Sequence, residues 1–291
     1  MKELSDILRG KWNERFGLSF ANDYREEKKI TFSGNENVFR VIYSEHLEEY
    51  QRHPTRKQYE LPDCFMCEGH DENYVFEEVA KIDHLRIWFS IKYATPCHYL
   101  IYDPEDHREK ITEKDIVVLN ELAKETGLSI FGNLRDSGAS FPRHIHFQSL
   151  EVVFPLAGSP VKDSLKMNGI EIAKLDYPVS AFRLSSIEDS GIKVIARAIS
   201  KLTMPYNPLF YGRDIFLVPR TRSVPSNANG FKFAAAEVAG IIFARSRKIY
   251  DLFDQKIMTD ALNEVCLPQE KKNAKKFENR LIESISEEEL K

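Results

Sequence analysis

The chain has 291 residues and a formal net charge of −4, with 42% apolar and 30% charged residues. That is an ordinary globular composition, with enough apolar material for one large domain or two of usual size. The acidic balance excludes a protein that coats nucleic acid through a basic surface, and no run approaches the ~18 consecutive apolar residues of a membrane span.

The charged start, Met1-Lys2-Glu3-Leu4-Ser5-Asp6, lacks the apolar segment of a secretory signal, so a cytoplasmic protein is expected. The first sixty residues mix helical and extended patterns. Leu61-Pro62-Asp63 then leads into a cysteine pair, which puts Cys64 and Cys67 on a loop or knuckle. Arg86 to Ile91 and His98 to Tyr102 are rich in aromatic and branched residues and predict strands, parted by Thr95-Pro96. Thr112 to Thr126 predicts a helix. Thr112 is its N-cap, Asp115 completes a weaker form of the capping box, and Ile116, Leu119, Leu122 and Ala123 share one face. Gly127 supplies the stop.

Leu128 to Asn133 predicts a strand, Leu134 to Arg143 a polar loop, and His144 to Phe154 another strand. A Gly/Ser/Pro/Lys stretch near Ala157 to Asp163 marks a candidate boundary. Asp214 to Pro219 predicts a short buried strand and Ser223 to Gly230 a turn-rich loop. From about Gln269 the chain is dense in Lys and Glu, which predicts a solvated helix or frayed end. No internal repeat or low-complexity segment is visible. Strand pairs with short links around one long helix, without regular alternation, predict an antiparallel α+β architecture. The expected division is 1–156, 157–267 and a charged tail, 268–291.

The chemistry concentrates in His144-Ile145-His146-Phe147-Gln148. Positions two apart on a strand share a face, so two imidazoles and one amide project together while Ile145 and Phe147 face a core. A neutral imidazole is a good nucleophile near pH 7. The preceding run, Asn133-Leu134-Arg135-Asp136-Ser137-Gly138-Ala139-Ser140, has the small donors that wrap a phosphate. Arg135, Arg143, Arg220 and Arg222 are further phosphate candidates. Cys64 and Cys67 have the i, i+3 spacing of a metal knuckle or a redox pair. Cys97 and Cys266 have no partner nearby in sequence and read as small buried hydrophobes.

Pro62-Asp63-Cys64-Phe65-Met66-Cys67-Glu68-Gly69 resembles the zinc-binding segment of galactose-1-phosphate uridylyltransferases. Asp106-His107-Arg108 resembles the place where that family supplies a third zinc ligand, and Asn133 through Gln148 resembles its nucleotide-phosphate loop and His-x-His-x-Gln signature. The resemblance implies a histidine-triad-like antiparallel sheet with flanking helices in two related halves. It implies a structural zinc on Cys64, Cys67, His107 and His144. It implies His146 as the nucleophile that forms a nucleotidyl-histidine and Gln148 as donor to the phosphoryl oxygens. Nucleotide and phosphate contacts would come from Asn133, Ser137, Gly138, Ser140 and Gln148. Spacing from Ser140 to His144 is one residue longer than in that family.

No histidine follows His146, so the second metal site of those uridylyltransferases cannot form. Pro205-Tyr206-Asn207, Asp214-Ile215-Phe216-Leu217-Val218-Pro219-Arg220 and Asn229-Gly230-Phe231 instead resemble dinucleoside-tetraphosphate and GDP-hexose phosphorylases. The expected function is nucleotidyl transfer from a nucleotide sugar or dinucleoside polyphosphate to phosphate or a sugar phosphate. Neither nucleic acid nor membrane is an expected partner, and a homodimer is what the resemblance implies. Two alternatives stand beside this: a nucleotide hydrolase of the same superfamily, against which Gln148 speaks, and a non-catalytic zinc-stabilised nucleotide-binding protein.

Overall fold

The computed structural model describes residues 2–21, 25–32, 38–45, 48, 78–90, 94–139, 143–226, 228 and 230–289. The chain begins with helix α1 (Lys2–Ala21) and two paired strands, β1 (Arg25–Thr31) and β2 (Val38–Ser44). There follow β3 (Glu78–Ile82), β4 (Leu85–Phe89), β5 (Tyr99–Tyr102), helix α2 (Glu113–Thr126), β6 (Ser129–Gly132) and β7 (Phe147–Leu150). Then come β8 (Val161–Met167), β9 (Ile170–Leu175), β10 (Phe182–Ser186), helix α3 (Asp189–Ser200), β11 (Tyr206–Tyr211) and β12 (Asp214–Pro219). The chain closes with α4 (Ala235–Val238), β13 (Ile241–Ala244), α5 (Arg247–Leu252), α6 (Gln255–Val265) and α7 (Lys272–Glu289).

Three strands, one helix and two more strands thus occur twice. The ten strands form one antiparallel sheet in the order β3-β4-β5-β7-β6-β11-β12-β10-β9-β8. Read outward from the central β6–β11 pair, the two halves have the same order. The repeat that the sequence conceals is therefore one of topology, carried by apolar positions that tolerate any residue of similar bulk.

Each face of the sheet has its own core. On one face Leu8 and Trp12 of α1, Ile116 and Leu119 of α2, Ile195 and Ile199 of α3, and Phe277, Leu281 and Ile285 of α7 cover the strands. The other face is covered by β1, β2 and β13 as a small second sheet, through Phe39, Val41, Ile241 and Ile242, together with α6. The C-terminal segment expected as a charged tail is thus part of the core. Most of its Lys and Glu residues line the outer face of α7, while an apolar stripe at helical spacing packs inward beside the buried Glu288.

Helix α2 starts where its cap residues dictate. Thr112 Oγ1 accepts from Asp115 N at 3.2 Å and the Asp115 carboxylate accepts from Thr112 N at 2.8 Å, satisfying donors that the first turn leaves orphaned. Gly127 ends it at φ 68°, a left-handed conformation that costs glycine least. The helix delivers the chain to β6 and the polar loop after it. The strand expected over His144 to Phe154 is shorter: pairing begins only at Phe147, so both histidines lie in the segment that enters β7.

Candidate active site

Gln148 sits opposite Phe131 across the β6–β7 ladder and opposite Leu100 across β5–β7. Phe131 belongs to the core beneath the small sheet, whereas Phe147 faces the helices. Gln148 therefore projects from the small-sheet face, as alternation requires.

His146 is buried, and its Nδ1 lies 3.0 Å from the carbonyl oxygen of His144. A carbonyl only accepts, so Nδ1 carries the hydrogen and the lone pair is on Nε2. Burial holds the imidazole below its ordinary pKa, against the opposing pull of that same carbonyl. The neutral form therefore predominates at neutral pH.

His144 is fully buried, and its Nε2 donates to the Asp103 carbonyl at 2.9 Å. The neighbouring Ile145 N donates to the Arg108 carbonyl at 2.6 Å. These two bonds clamp the Asp103–Arg108 segment onto the entry to β7 and bring the His107 and His144 rings to 5.3 Å between centroids. Two predicted zinc ligands are thus neighbours in space. Cys64 and Cys67 lie outside the described residues, as does Ser140. No group of three or more metal-binding side chains occurs among the described residues.

The polar loop is held from behind by the second half. Asn133 Oδ1 accepts from Ala235 N at 2.7 Å, and Lys232 Nζ donates to the Ala139 carbonyl at 2.6 Å. Asn207 Nδ2 donates to the carbonyls of Gly132 and Ser137 at 3.0 and 2.9 Å. It takes over where the β6–β11 ladder stops, beside Pro208, which has no N–H to continue it. Ser137 is fully buried and its Oγ donates to the Leu134 carbonyl at 3.2 Å. Gly138 has φ +108°, and a Cβ there would stand 2.9 Å from Ala234 Cα, so only glycine lets the two backbones approach this closely. With Asn133 Oδ1 committed to Ala235, its amide nitrogen is the end that can meet a phosphate.

Arg220 is placed differently from the sequence expectation. It is buried at 2% exposure, and its guanidinium donates to Val265 O at 3.0 Å, to Arg222 O and Phe233 O at 2.7 Å, and to Asn207 Oδ1. With its donors spent on the protein, Arg220 braces the loop and is no phosphate ligand. Arg222 pairs with Glu264 at 2.8 Å and Arg135 with Glu109, both on the surface.

Sequence reasoning passed over His98. This buried ring reaches Gln148, with Nε2 3.0 Å from Oε1. Its burial, reinforced by the charge of Arg245 and opposed by the Gln148 bond, pushes its pKa down to about 4. Nothing in a lone histidine after Thr95-Pro96-Cys97 marks it, because the contact is diagonal across two strands paired only in the fold. Burial pushes the Cys97 and Cys266 thiols up to about 12 and about 11, so both behave as inert packing groups, as expected.

Residues 157–282 match the family model described as GDPGP1-like, C-terminal domain. The crystal structure of yeast Ap4A phosphorylase Apa2 in complex with AMP aligns with 90% of this chain and 97% of that one, at a TM-score of 0.65 and 18% identity. Its complex with Ap4A aligns over the same shares at a TM-score of 0.63 and 17% identity. The chain has the fold of this phosphorylase. It is α+β and histidine-triad-like, the class read from the sequence. A galt-like protein from Arabidopsis thaliana reaches a TM-score of only 0.34 at 15% identity, over 69% of this chain and 92% of that one, too remote to bear on the site. No curated protein matches the chain in sequence.

Within this phosphorylase fold the repeated topology equates positions of the two halves. Phe147 corresponds to Ile215, Tyr99 to Phe182, Ile101 to Leu184 and Ile87 to Ile172, all within the helix-covered core. By the same register Asp214 stands where His146 does and Phe216 where Gln148 does. The constellation of imidazole and carboxamide therefore occurs in the first half alone.

Proposed function

We propose that the chain is a nucleotidyltransferase or phosphorylase that moves a nucleoside monophosphate from a nucleotide sugar or dinucleoside polyphosphate to phosphate or a sugar phosphate, through a covalent nucleotidyl-His146. The observation that carries this reading is the bond between His146 Nδ1 and the His144 carbonyl at 3.0 Å. It fixes the tautomer and presents Nε2 as an unprotonated nucleophile on a buried ring.

In the first displacement Nε2 attacks the α-phosphorus, a P–N bond forms, and the P–O bond to the leaving group breaks with its electron pair. In the second an acceptor oxygen attacks the same phosphorus and the P–N electron pair returns to Nε2. Charge on the non-bridging oxygens is met by Gln148 and by donors of the Asn133–Ser140 loop, of which the Asn133 side chain is held by Ala235 N. Dinucleoside polyphosphates head the donor list because the solved complexes of Apa2 contain AMP and Ap4A.

The zinc implied by the sequence resemblance would be held by Cys64, Cys67, His107 and His144. The two described ligands fit: their rings are 5.3 Å apart, and the Asp103 carbonyl fixes His144 through Nε2, the outer partner that metal-bound histidines use. Nδ1 is then the nitrogen that would face the metal. Bound there, zinc would supply rigidity to the strand entry, and no reacting group.

Intact-mass spectrometry tests the reading. The protein is mixed, without acceptor, with diadenosine tetraphosphate, UDP-glucose, ADP-glucose and GDP-mannose in turn. A gain of one nucleoside monophosphate is expected in the parent and none in His146→Ala. An adduct of equal size in His146→Ala would refute the assignment.

A further inference from the structure

We infer that His98 is a positioning residue for nucleotidyl transfer, acting as a tautomer lock that turns the carboxamide of Gln148 so that its NH2 group, and not its oxygen, is available to the phosphoryl group. The inference rests on the transfer reading above and adds to it the element that sets the polarity of the Gln148 contact.

The lock follows from donor and acceptor identities alone. Ala94 N lies 3.0 Å from His98 Nδ1. A backbone N–H can only donate, so Nδ1 accepts and is unprotonated. The ring is neutral where it is buried, so its one hydrogen is on Nε2. Nε2 lies 3.0 Å from the Gln148 side chain and can only donate to it, which requires the amide oxygen there. A glutamine that pointed Oε1 at a phosphoryl oxygen would set two acceptors face to face. One that points its NH2 there donates to the charge that accumulates in the transition state.

The turn that carries His98 is built to hold this aim. Cys97 has φ 54°, a left-handed conformation that a non-glycine residue adopts at a cost of roughly 1–2 kcal/mol. That twist lets the His98 ring fold back on the N–H of Ala94, four residues before it. The turn is fastened to β7 on the far side of Gln148, where Ser149 Oγ donates to the Cys97 carbonyl at 3.1 Å and Glu151 N donates to the Pro96 carbonyl at 3.1 Å. Arg25 donates to the Ala94 carbonyl at 3.0 Å, and Ser90 N to that of His98 at 3.2 Å. A strained residue retained beside a site, with fastenings on both sides, is the pattern expected of a functional constraint.

The test compares the rate of adduct formation in the parent, His98→Asn, His98→Gln, Gln148→Ala and the double variant His98→Asn/Gln148→Ala, using whichever of the four donors labels the parent. Asparagine keeps an acceptor within reach of Ala94 but is too short for Gln148. Glutamine carries an amide N–H at the distance of Nε2. His98→Asn is expected to slow labelling about tenfold or more, with donor affinity and melting temperature close to the parent, and His98→Gln to recover most of the loss. In the Gln148→Ala background the asparagine substitution is expected to change the rate less than about twofold, because the two residues act as one unit. An equal slowing in both backgrounds would assign His98 a merely structural role and overturn the lock. Nitrogen-15 NMR adds a readout free of activity: a neutral ring protonated at Nε2 from pH 5 to 8 supports the lock, and a proton on Nδ1 sinks it. A parent that takes no label from any donor refutes the transfer reading and this role with it, whereas a labelled parent with an unaffected His98→Asn refutes this role alone.

Discussion

Replacing Arg220 by methionine separates the support of the loop from the chemistry in front of it. Two effects oppose each other. The guanidinium is buried with no carboxylate in hydrogen-bond contact, and burial holds its pKa below the usual arginine value, so methionine relieves a desolvation penalty. Against this, Asn207 Oδ1 and the carbonyls of Phe233 and Arg222 lose the donor described for each of them. The Val265 and Ser137 carbonyls keep second donors in Thr221 N and Asn207 Nδ2. Three acceptors at ~1–3 kcal/mol each, one of them partly solvated, outweigh the relief and leave a net loss of about 2–4 kcal/mol. Lysine offers a point charge without the planar fork and should recover less than half of it. Urea denaturation at neutral pH reads the loss as a lower midpoint. Labelling of His146 should slow about tenfold as the loop from Asn133 to Ala139 loses its backing. A methionine variant with the parent's midpoint and labelling rate would refute the view that Arg220 braces this loop.

Three further outcomes are expected. For His98 burial pushes the pKa of the folded chain down to about 4, below the ordinary imidazole value; above ~pH 6.5 there is no penalty. As pH falls towards 4 the unfolded chain takes up a proton that the folded one refuses, and up to ~3 kcal/mol is lost. Urea midpoints at pH 7 and 4.5 should converge in His98→Gln, and an unchanged difference would contradict this. Gly138→Ala should cost at least ~1–2 kcal/mol and weaken labelling, since its Cβ would strike Ala234 Cα from a backbone at φ +108°; a variant as stable as the parent would show that the two backbones have room to part. Cys64→Ala should lower zinc content and melting temperature without altering the choice of donor, and identical melting temperatures would remove zinc from the account.

What the sequence disclosed was what local chemistry decides. The cap at Thr112 and the stop at Gly127 bracket α2 because both act within a few residues of the helix end. The His-x-His-x-Gln spacing was legible because one short run, the entry to β7 and its second residue, carries all three side chains. The sequence did not disclose what depends on pairing at a distance. His98 meets Gln148 only once β5 lies beside β7. Arg220 read either as a surface arginine or as one of four phosphate candidates, and only the surrounding carbonyls of Phe233, Val265 and Arg222 show that it is buried with its donors already taken. The C-terminal segment was legible as a helix but not as a packed one, because the dense Lys and Glu of α7 conceal four inward positions, Ala274, Phe277, Leu281 and Ile285, three or four residues apart.

The two halves show how one topology serves two purposes. In both a fifth strand lies beside the central β6–β11 pair, and in both that strand alternates between the helix-covered core and the small-sheet face. In the first half the small-sheet face receives Gln148, with His146 just before the strand; in the second, the equivalent register gives Phe216 and Asp214, with Val218 buried beyond them. The end of that same second-half strand leads directly to Arg220, and its partner β11 supplies Asn207. These two side chains run under the central β6–β11 pair to the carbonyls of Gly132 and Ser137. The carbonyls of Gly132 and Ser137 point into the protein and need buried donors. The second half meets that need with an amide and a guanidinium. The half without the histidines therefore braces the loop of the half with them, and the residues that resemble phosphorylases most in the C-terminal half, Pro205-Tyr206-Asn207 and the run ending in Arg220, are the ones that do it.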